Sequence, residues 1–301
     1  MADPSWIDVR TPAVNLKALS WGPSDAPIAL CLHGFPDTAH GWRKFAPRLV
    51  KSGWRVIAPF MRGYAPSSIP SDGSYHVGAL MDDALEVRKA AGGTAHDVVI
   101  GHDWGAIAAS GLAAMPNSPF TKAVIMSVPP PATFHPPSQV PDRGRLIAHL
   151  PGQLRRSWYI FYFQLPLLPE RSASWVTPRL WRRWSPKYDP KEDLRHVDAA
   201  IGTAENWRAA LGPYRATVRN TRPPARYADL HRQWVLPPQL PSLYLHGRDD
   251  GCATADLAQW TERVLPPGSD VAVIEHAGHF LQLDQPETVA ERVLSFIGSP
   301  G

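Results

Sequence analysis

Apolar positions along the chain fall into two alternating rhythms. Short apolar runs at Pro27–Leu32, Trp54–Ala58, Asp97–Ile100, Lys122–Val128, Ser242–His246 and Val271–Glu275 have the length and make-up of buried strands. Between them the period changes. Residues His40 to Ser52 predict a helix, and Val77, Leu80, Met81, Ala84, Leu85 and Arg88 recur at helical spacing until Gly92-Gly93 closes the segment. Ala106 to Met115 predicts a further helix made of small residues. Strands alternating with helices predict a parallel sheet covered by helices on both faces. The rhythm stops at Pro129–Pro137, whose prolines predict a rigid, extended connector. From roughly residue 140 to 235 the pattern is helical and rich in aromatics, and Pro237-Pro238 ends it. The expected organisation is one α/β core in two parts, residues 1–130 and 237–301, interrupted by a helical lid at 131–236. No internal repeat is evident.

Composition narrows the function. With 44% hydrophobic and 19% charged residues over 301 positions, the chain can bury a sizeable core, which argues against disorder. Half of its 12 tryptophans lie between Trp158 and Trp234, where large rigid rings suit either core packing or an apolar pocket. The net charge of +4 comes from scattered arginines, the densest spots being Arg155-Arg156 and Arg182-Arg183. No long basic run or recognition motif points to nucleic acid. Two cysteines, Cys31 and Cys252, make no disulfide framework and suit a reducing compartment. The first residues lack a signal-peptide pattern, and no window is apolar enough for a membrane helix. A soluble, cytoplasmic protein is expected.

The candidate chemistry centres on Gly101-His102-Asp103-Trp104-Gly105, which ends an apolar run and opens the small-residue helix. A strand, a Gly-x-Asp-x-Gly turn and a helix form the geometry of a nucleophile elbow, with glycines where the turn is too tight for side chains. Its central position is usually Ser; a carboxylate there needs no base to become nucleophilic. Alternatively, Asp103 caps the helix. Against a mere cap stand two further candidates, in the order nucleophile, acid, histidine. Asp250 follows the run ending at His246, and His279 follows the run ending at Glu275. All three fall at the carboxyl ends of strands, where open α/β sheets bind ligands. Asp249 is an alternative to Asp250, and spacing from Gly247 favours Asp250. His276 reads as structural, because the Gly278-His279 turn is the more accessible. His33-Gly34-Phe35-Pro36 faces the same crevice, and the N–H groups of Phe35 and Trp104 would form an oxyanion hole. His33 is assigned a structural role, bonding backbone in its loop.

On His33-Gly34-Phe35-Pro36, Arg62-Gly63-Tyr64, Gly101–Gly105, the Asp250 loop and Gly278-His279, nearly the whole chain resembles the epoxide hydrolases of the α/β-hydrolase fold, soluble and microbial. The likeness is weakest in the lid. It implies an α/β-hydrolase fold, with a mostly parallel central sheet, helices on both faces and a helical lid inserted after the sixth strand. It also implies two lid tyrosines that bind and protonate an epoxide oxygen. Tyr159 resembles the first, by its spacing to the Phe-Gln-x-Pro at residues 163–166, and Tyr214, which precedes Arg215, resembles the second. Tyr162 reads as a member of an aromatic core stripe.

The expected reaction is attack by Asp103 on an epoxide carbon, giving an alkyl-enzyme ester that His279, oriented by Asp250, helps water to hydrolyse to a vicinal diol. No metal or organic cofactor is needed, and the partners are an apolar epoxide and water, for a monomer or homodimer. A haloalkane dehalogenase of the same fold would also use an Asp nucleophile, but Phe35 stands where such enzymes often carry Asn. Fluoroacetate-type dehalogenases usually carry Arg after the nucleophile, and here the residue is Trp104. No Gly-x-Ser-x-Gly supports a serine esterase. A non-catalytic, ligand-binding member is disfavoured because every triad position is filled.

Overall fold

A computed structural model of the chain describes residues 3–134 and 151–300. Eight strands form one sheet: β1 (Ser5–Arg10), β2 (Asn15–Trp21), β3 (Ile28–Leu32), β4 (Arg55–Pro59), β5 (Val98–His102), β6 (Lys122–Met126), β7 (Ser242–Gly247) and β8 (Asp270–Ile274). Their order across the sheet is β1-β2-β4-β3-β5-β6-β7-β8. The pairs β1/β2 and β2/β4 are antiparallel, and every other pair is parallel. All five residues of β3 and of β5 are buried, which accounts for the continuous apolar runs of these strands: a parallel strand is covered on both faces. The antiparallel hairpin β1–β2 lies outside the predicted elements. Its first strand is mostly exposed, so no apolar run announces it.

Several predicted boundaries shift for local reasons. The helix expected over His40 to Ser52 is two pieces, a 3₁₀ turn at Ala39–Trp42 and an α-helix at Ala46–Lys51, because Pro47 favours a fresh first turn there. β4 includes Pro59, which pairs with Ala18, instead of stopping before it. β6 ends at Met126, since Ser127 has φ +67°. In the proline connector, Pro131–Phe134 forms a 3₁₀ turn, so the extended reading fails there; residues 135–137 lie outside the described residues. The long helix is observed at Val77–Ala90 and the small-residue helix at Trp104–Ala114.

β6 and β7 are neighbours, with Ala123 opposite Ser242, so the chain leaves the sheet between them and returns beside its exit point. The described residues of that excursion carry helices at Trp158–Tyr162, Ala173–Trp184, Lys191–Ile201, Ala204–Ala210, Gly212–Val218 and Ala228–Gln233, and no strand. The part of the predicted helical stretch before residue 151 lies outside the described residues. Aromatic and charged contacts fasten this layer to the core. The Trp181 indole donates to the Pro36 carbonyl at 2.8 Å and stacks on Phe280 at 3.6 Å. Arg43 pairs with Glu192 at 2.9 Å and with Asp193 at 2.5 Å.

Arg62 accounts for one motif of the sequence. Its buried guanidinium makes two bonds to Asp83, at 2.6 and 2.7 Å, and donates to the Ser74 carbonyl, so it fixes the loop after β4 to the helix Val77–Ala90. Among the described residues, no helix is long and apolar enough to cross a membrane.

Candidate active site

The parallel strands β3, β5, β7 and β8 all end at one edge of the sheet, and each delivers a loop there. At the end of β5 the chain turns through Asp103, whose φ of +53° and ψ of −118° are unusual for a residue with a side chain. Neighbouring structure must hold such a conformation, at a cost of about 1–3 kcal/mol. The glycines on either side permit the turn. A Cβ on Gly101 would lie 2.1 Å from the Gly105 carbonyl oxygen, and one on Gly105 would lie 2.1 Å from that of Leu32. Although Asp103 precedes the first residue of helix Trp104–Ala114, its side chain makes no capping hydrogen bond. Asp103 is therefore not a side-chain cap. One carboxylate oxygen, Oδ1, accepts the Phe35 N–H at 2.7 Å, and the other lies 3.6 Å from His279 Nε2.

His279 is fully buried. Its Nδ1 is bonded to Asp250 Oδ2 at 2.9 Å, which leaves Nε2 facing Asp103. Three groups hold its backbone: the carbonyl accepts from Ser127 Oγ at 2.6 Å and from His102 Nε2 at 2.9 Å, and the N–H donates to the Trp184 carbonyl at 2.9 Å. Asp250 is anchored in turn by the N–H groups of Cys252 and Ala253 on its Oδ1. Asp249 points away, to Lys187 at 2.7 Å, so the acid beside the histidine is Asp250. His276 is exposed.

The charges reinforce one another. Burial raises the Asp250 pKa, but the His279 charge and hydrogen bond prevail and hold it below the ordinary carboxylate range. For His279, burial alone would lower the pKa. The Asp250 charge, together with the adjacent Asp103 carboxylate, overturns that and raises it to about 10. The two carboxylates on either side of His279 thus favour its protonated form. His33 is different: its Nε2 accepts the Met61 N–H at 3.0 Å, so Nδ1 carries the proton and donates to the Gly34 carbonyl at 2.9 Å. Burial lowers its pKa to about 4, and this neutral ring holds backbone in its loop.

Tyr159 and Tyr214 are both buried, with ring centroids 5.7 Å apart, and both lie close enough to Asp103 to feel its charge. Tyr214 packs edge-on against Trp104 at 5.0 Å and against Phe35 at 5.3 Å, directly over the two residues whose amides are expected to form the oxyanion hole. Among the described residues the Tyr214 hydroxyl has no hydrogen-bond partner, and the nearby Trp104 side chain acts to lower its pKa. Burial, and after it the Asp103 charge, push Tyr214 well above the ordinary phenol value. Burial is also the first cause for Tyr159, with Cys252, Tyr214 and Asp103 adding to it. The Tyr214 side is fixed from behind by Arg215, which donates to the Phe163 carbonyl at 3.0 Å and pairs with Glu170 at 2.7 Å, tying both tyrosine segments together. Tyr162 is half-buried against Trp158 and Phe163, within the aromatic stripe.

Sequence reasoning missed two contributors. The Trp184 ring packs at a tilt 4.8 Å from the His279 ring and edge-on 5.0 Å from Tyr159, and its carbonyl accepts the His279 N–H. Cys252, read only as a free thiol, lies 3.4 Å from the Tyr159 hydroxyl. Gly251 and Gly278, beside the acid and the histidine, were the available signal for close approach by another segment. A Cβ on either would collide with residues 183–185. Asp250, Cys252 and His279 also bring potential metal-ligating atoms within 4.8 Å of one another, but Asp250 and His279 are already spent on their mutual hydrogen bond.

Residues 27–286 match the family described as the alpha/beta hydrolase fold. The AB hydrolase superfamily protein YfhM of Bacillus subtilis is 28% identical over an alignment covering 96% of each chain. Epoxide hydrolase A of Mycobacterium tuberculosis is 26% identical, with 99% of this chain and 98% of that protein covered. A crystal structure from Klebsiella pneumoniae superposes with a TM-score of 0.79 at 20% identity, covering 97% of each chain, which is a likeness of fold.

Proposed function

The chain belongs to the alpha/beta hydrolase fold family, and from that premise we propose that it is an epoxide hydrolase working through an ester of Asp103. In this reading residues 131–236 are the lid, and Asp103, Asp250, His279, Tyr159 and Tyr214 are catalytic. The observation that carries it is the Asp103 carboxylate: it is strained, makes no side-chain cap, lies 3.6 Å from His279 Nε2 and bears by its charge on two buried phenols. Relatives described as epoxide hydrolases support the substrate class.

The proton inventory closes. Asp103 attacks one epoxide carbon; the C–O bond breaks, and a tyrosine O–H protonates the departing oxygen while the second phenol donates a hydrogen bond. Forming the ester removes the Asp103 charge. That charge helped to hold both phenols and His279 at raised pKa, so its loss makes all three better acids as the alkoxide develops. The His279 proton returns to the phenolate, leaving a neutral imidazole. Water then attacks the ester carbonyl and gives its proton to His279, with the oxyanion beside the Phe35 and Trp104 amides. The intermediate collapses, the alkoxide takes the remaining acyl proton, and the diol leaves behind an Asp103 carboxylate and an imidazolium, as at the start.

A panel of apolar epoxides and haloalkanes tests the reading, scored for diol and for halide. Diol formation with halide release absent or at least about a hundredfold slower is expected. Halide release alone would transfer the site to dehalogenation, and no turnover of either would leave a binding protein.

The charge switch has its own test. The His279 ring should titrate near pH 10 in the unmodified protein, followed by NMR, and at lower pH in Asp103→Asn, where a neutral amide imitates the ester. Because a raised pKa means the protonated form is favoured, kcat/KM should fall as pH rises through about 10, where resting His279 loses its proton. An unchanged titration in Asp103→Asn would refute the switch.

A further inference from the structure

Cys252 has no place in the reaction above, yet its sulfur is carefully held. Its N–H donates to Asp250 Oδ1 at 2.6 Å, and its carbonyl accepts from the Gln153 side chain at 2.9 Å, so the thiol is fixed to the acid loop. The buried sulfur lies 3.4 Å from the Tyr159 hydroxyl, and either group can donate. The Tyr159 ring is wedged among Trp184 at 5.0 Å, Phe163 at 5.6 Å and Tyr214 at 5.7 Å. Packing therefore fixes the ring and leaves one freedom, rotation of the O–H about its C–O bond.

We propose that Cys252 is a positioning residue for Tyr159: its thiol holds the phenolic hydroxyl before substrate binds and donates to the phenolic oxygen once that hydroxyl turns to the substrate. This rests on the epoxide-opening reading. Sulfur suits the task because it is a weak acceptor, so the hydroxyl leaves it at little cost when an epoxide oxygen arrives. An S–H donated to the phenolic oxygen then makes Tyr159 a stronger donor, since hydrogen bonds in series polarise one another. Burial, followed by the Asp250 and Asp103 charges, pushes the thiol pKa well up. The S–H proton therefore stays on sulfur throughout; the proton given to the alkoxide is the phenol's, and His279 replaces it.

Single-turnover kinetics with Cys252→Ala should show alkylation of Asp103 slowed about threefold to tenfold, the worth of one neutral hydrogen bond, with little change in substrate affinity. Cys252→Ser, which keeps a donor and acceptor, should return the rate to within about twofold of the original. Ester hydrolysis should be unaffected in both, which separates this role from damage to the Asp250 loop. Infrared spectra give a readout independent of turnover. The S–H stretching band lost in Cys252→Ala should be unmoved by added diol product in Tyr159→Phe, whereas in the unmodified protein the diol, by drawing the Tyr159 hydroxyl to itself, should move that band to lower frequency. A band that the diol leaves in place in the unmodified protein, full alkylation by Cys252→Ala, or failure of serine to rescue would each overturn the proposal while epoxide opening stands. A protein that opens no epoxide would refute the underlying reading, and the role assigned to Cys252 with it.

Discussion

Epoxide mixed with His279→Gln is expected to yield protein heavier by one substrate mass, with the adduct on the Gly101–Gly105 peptide. On the proposed reaction, the variant keeps the carboxylate assigned to the first attack and loses the base assigned to the second step. Positioned general bases are worth roughly a hundred- to ten-thousandfold, so turnover should fall by about that much while a single round of alkylation persists. Both carboxylates remain, and Gln can still occupy the space between Asp250 Oδ2 and Asp103 Oδ2, now 2.9 and 3.6 Å from the imidazole nitrogens. Asp103→Ala should give neither adduct nor diol. Mass spectrometry of intact protein and of its peptides decides the matter. A His279→Gln protein that turns over without ever carrying an adduct would mean that water attacks the epoxide directly.

The second large effect concerns the phenols. Tyr159→Phe or Tyr214→Phe should each slow alkylation by roughly a hundredfold or more, and the double variant should nearly abolish it, because positioned acid catalysis commonly contributes about that much per group. Stability should respond in the opposite sense at one position. Among the described residues the buried Tyr214 hydroxyl has no hydrogen-bond partner, so removing it relieves a desolvated polar group. Tyr214→Phe is expected to melt at the same temperature or about 1–3 °C higher while losing activity. Tyr159→Phe gives up the contact to Cys252 and should gain nothing. Calorimetry beside rate measurements checks both. A double variant with full activity would place the acid elsewhere.

Much of the site was legible because its residues announce themselves by local context. A carboxylate between two glycines after a buried strand loses water and gains no apolar contact, which singles Asp103 out as a candidate for chemistry. The acid and the histidine follow later strands closely enough for order alone to find them. The turn conformation that made Asp103 conspicuous is a short-range property, set by the steric limits on Gly101 and Gly105. The same holds for β3 and β5, whose continuous apolar runs reflect burial on both faces. Tyr159 and Tyr214 needed the likeness to a known family, since an aromatic in a helical stretch rich in aromatics carries no sign of which way it faces.

Sequence by itself determined the elements whose cause is local: the buried strands, the elbow and the chain order of the three polar residues at strand ends. Only tertiary structure decided what depends on segments distant along the chain. It placed the exposed strand β1 against β2, broke the helix predicted after His40, and turned Asp249 outward to Lys187 while Asp250 met His279. It also brought the Trp184 carbonyl to His279 and the Cys252 thiol to Tyr159. Hydrophobic periodicity records whether a residue is buried, and turn chemistry records how the backbone bends. Neither records which buried group will lie opposite, because that partner is chosen when the helices between β6 and β7 pack on the sheet and the packed rings leave each polar atom its few possible neighbours.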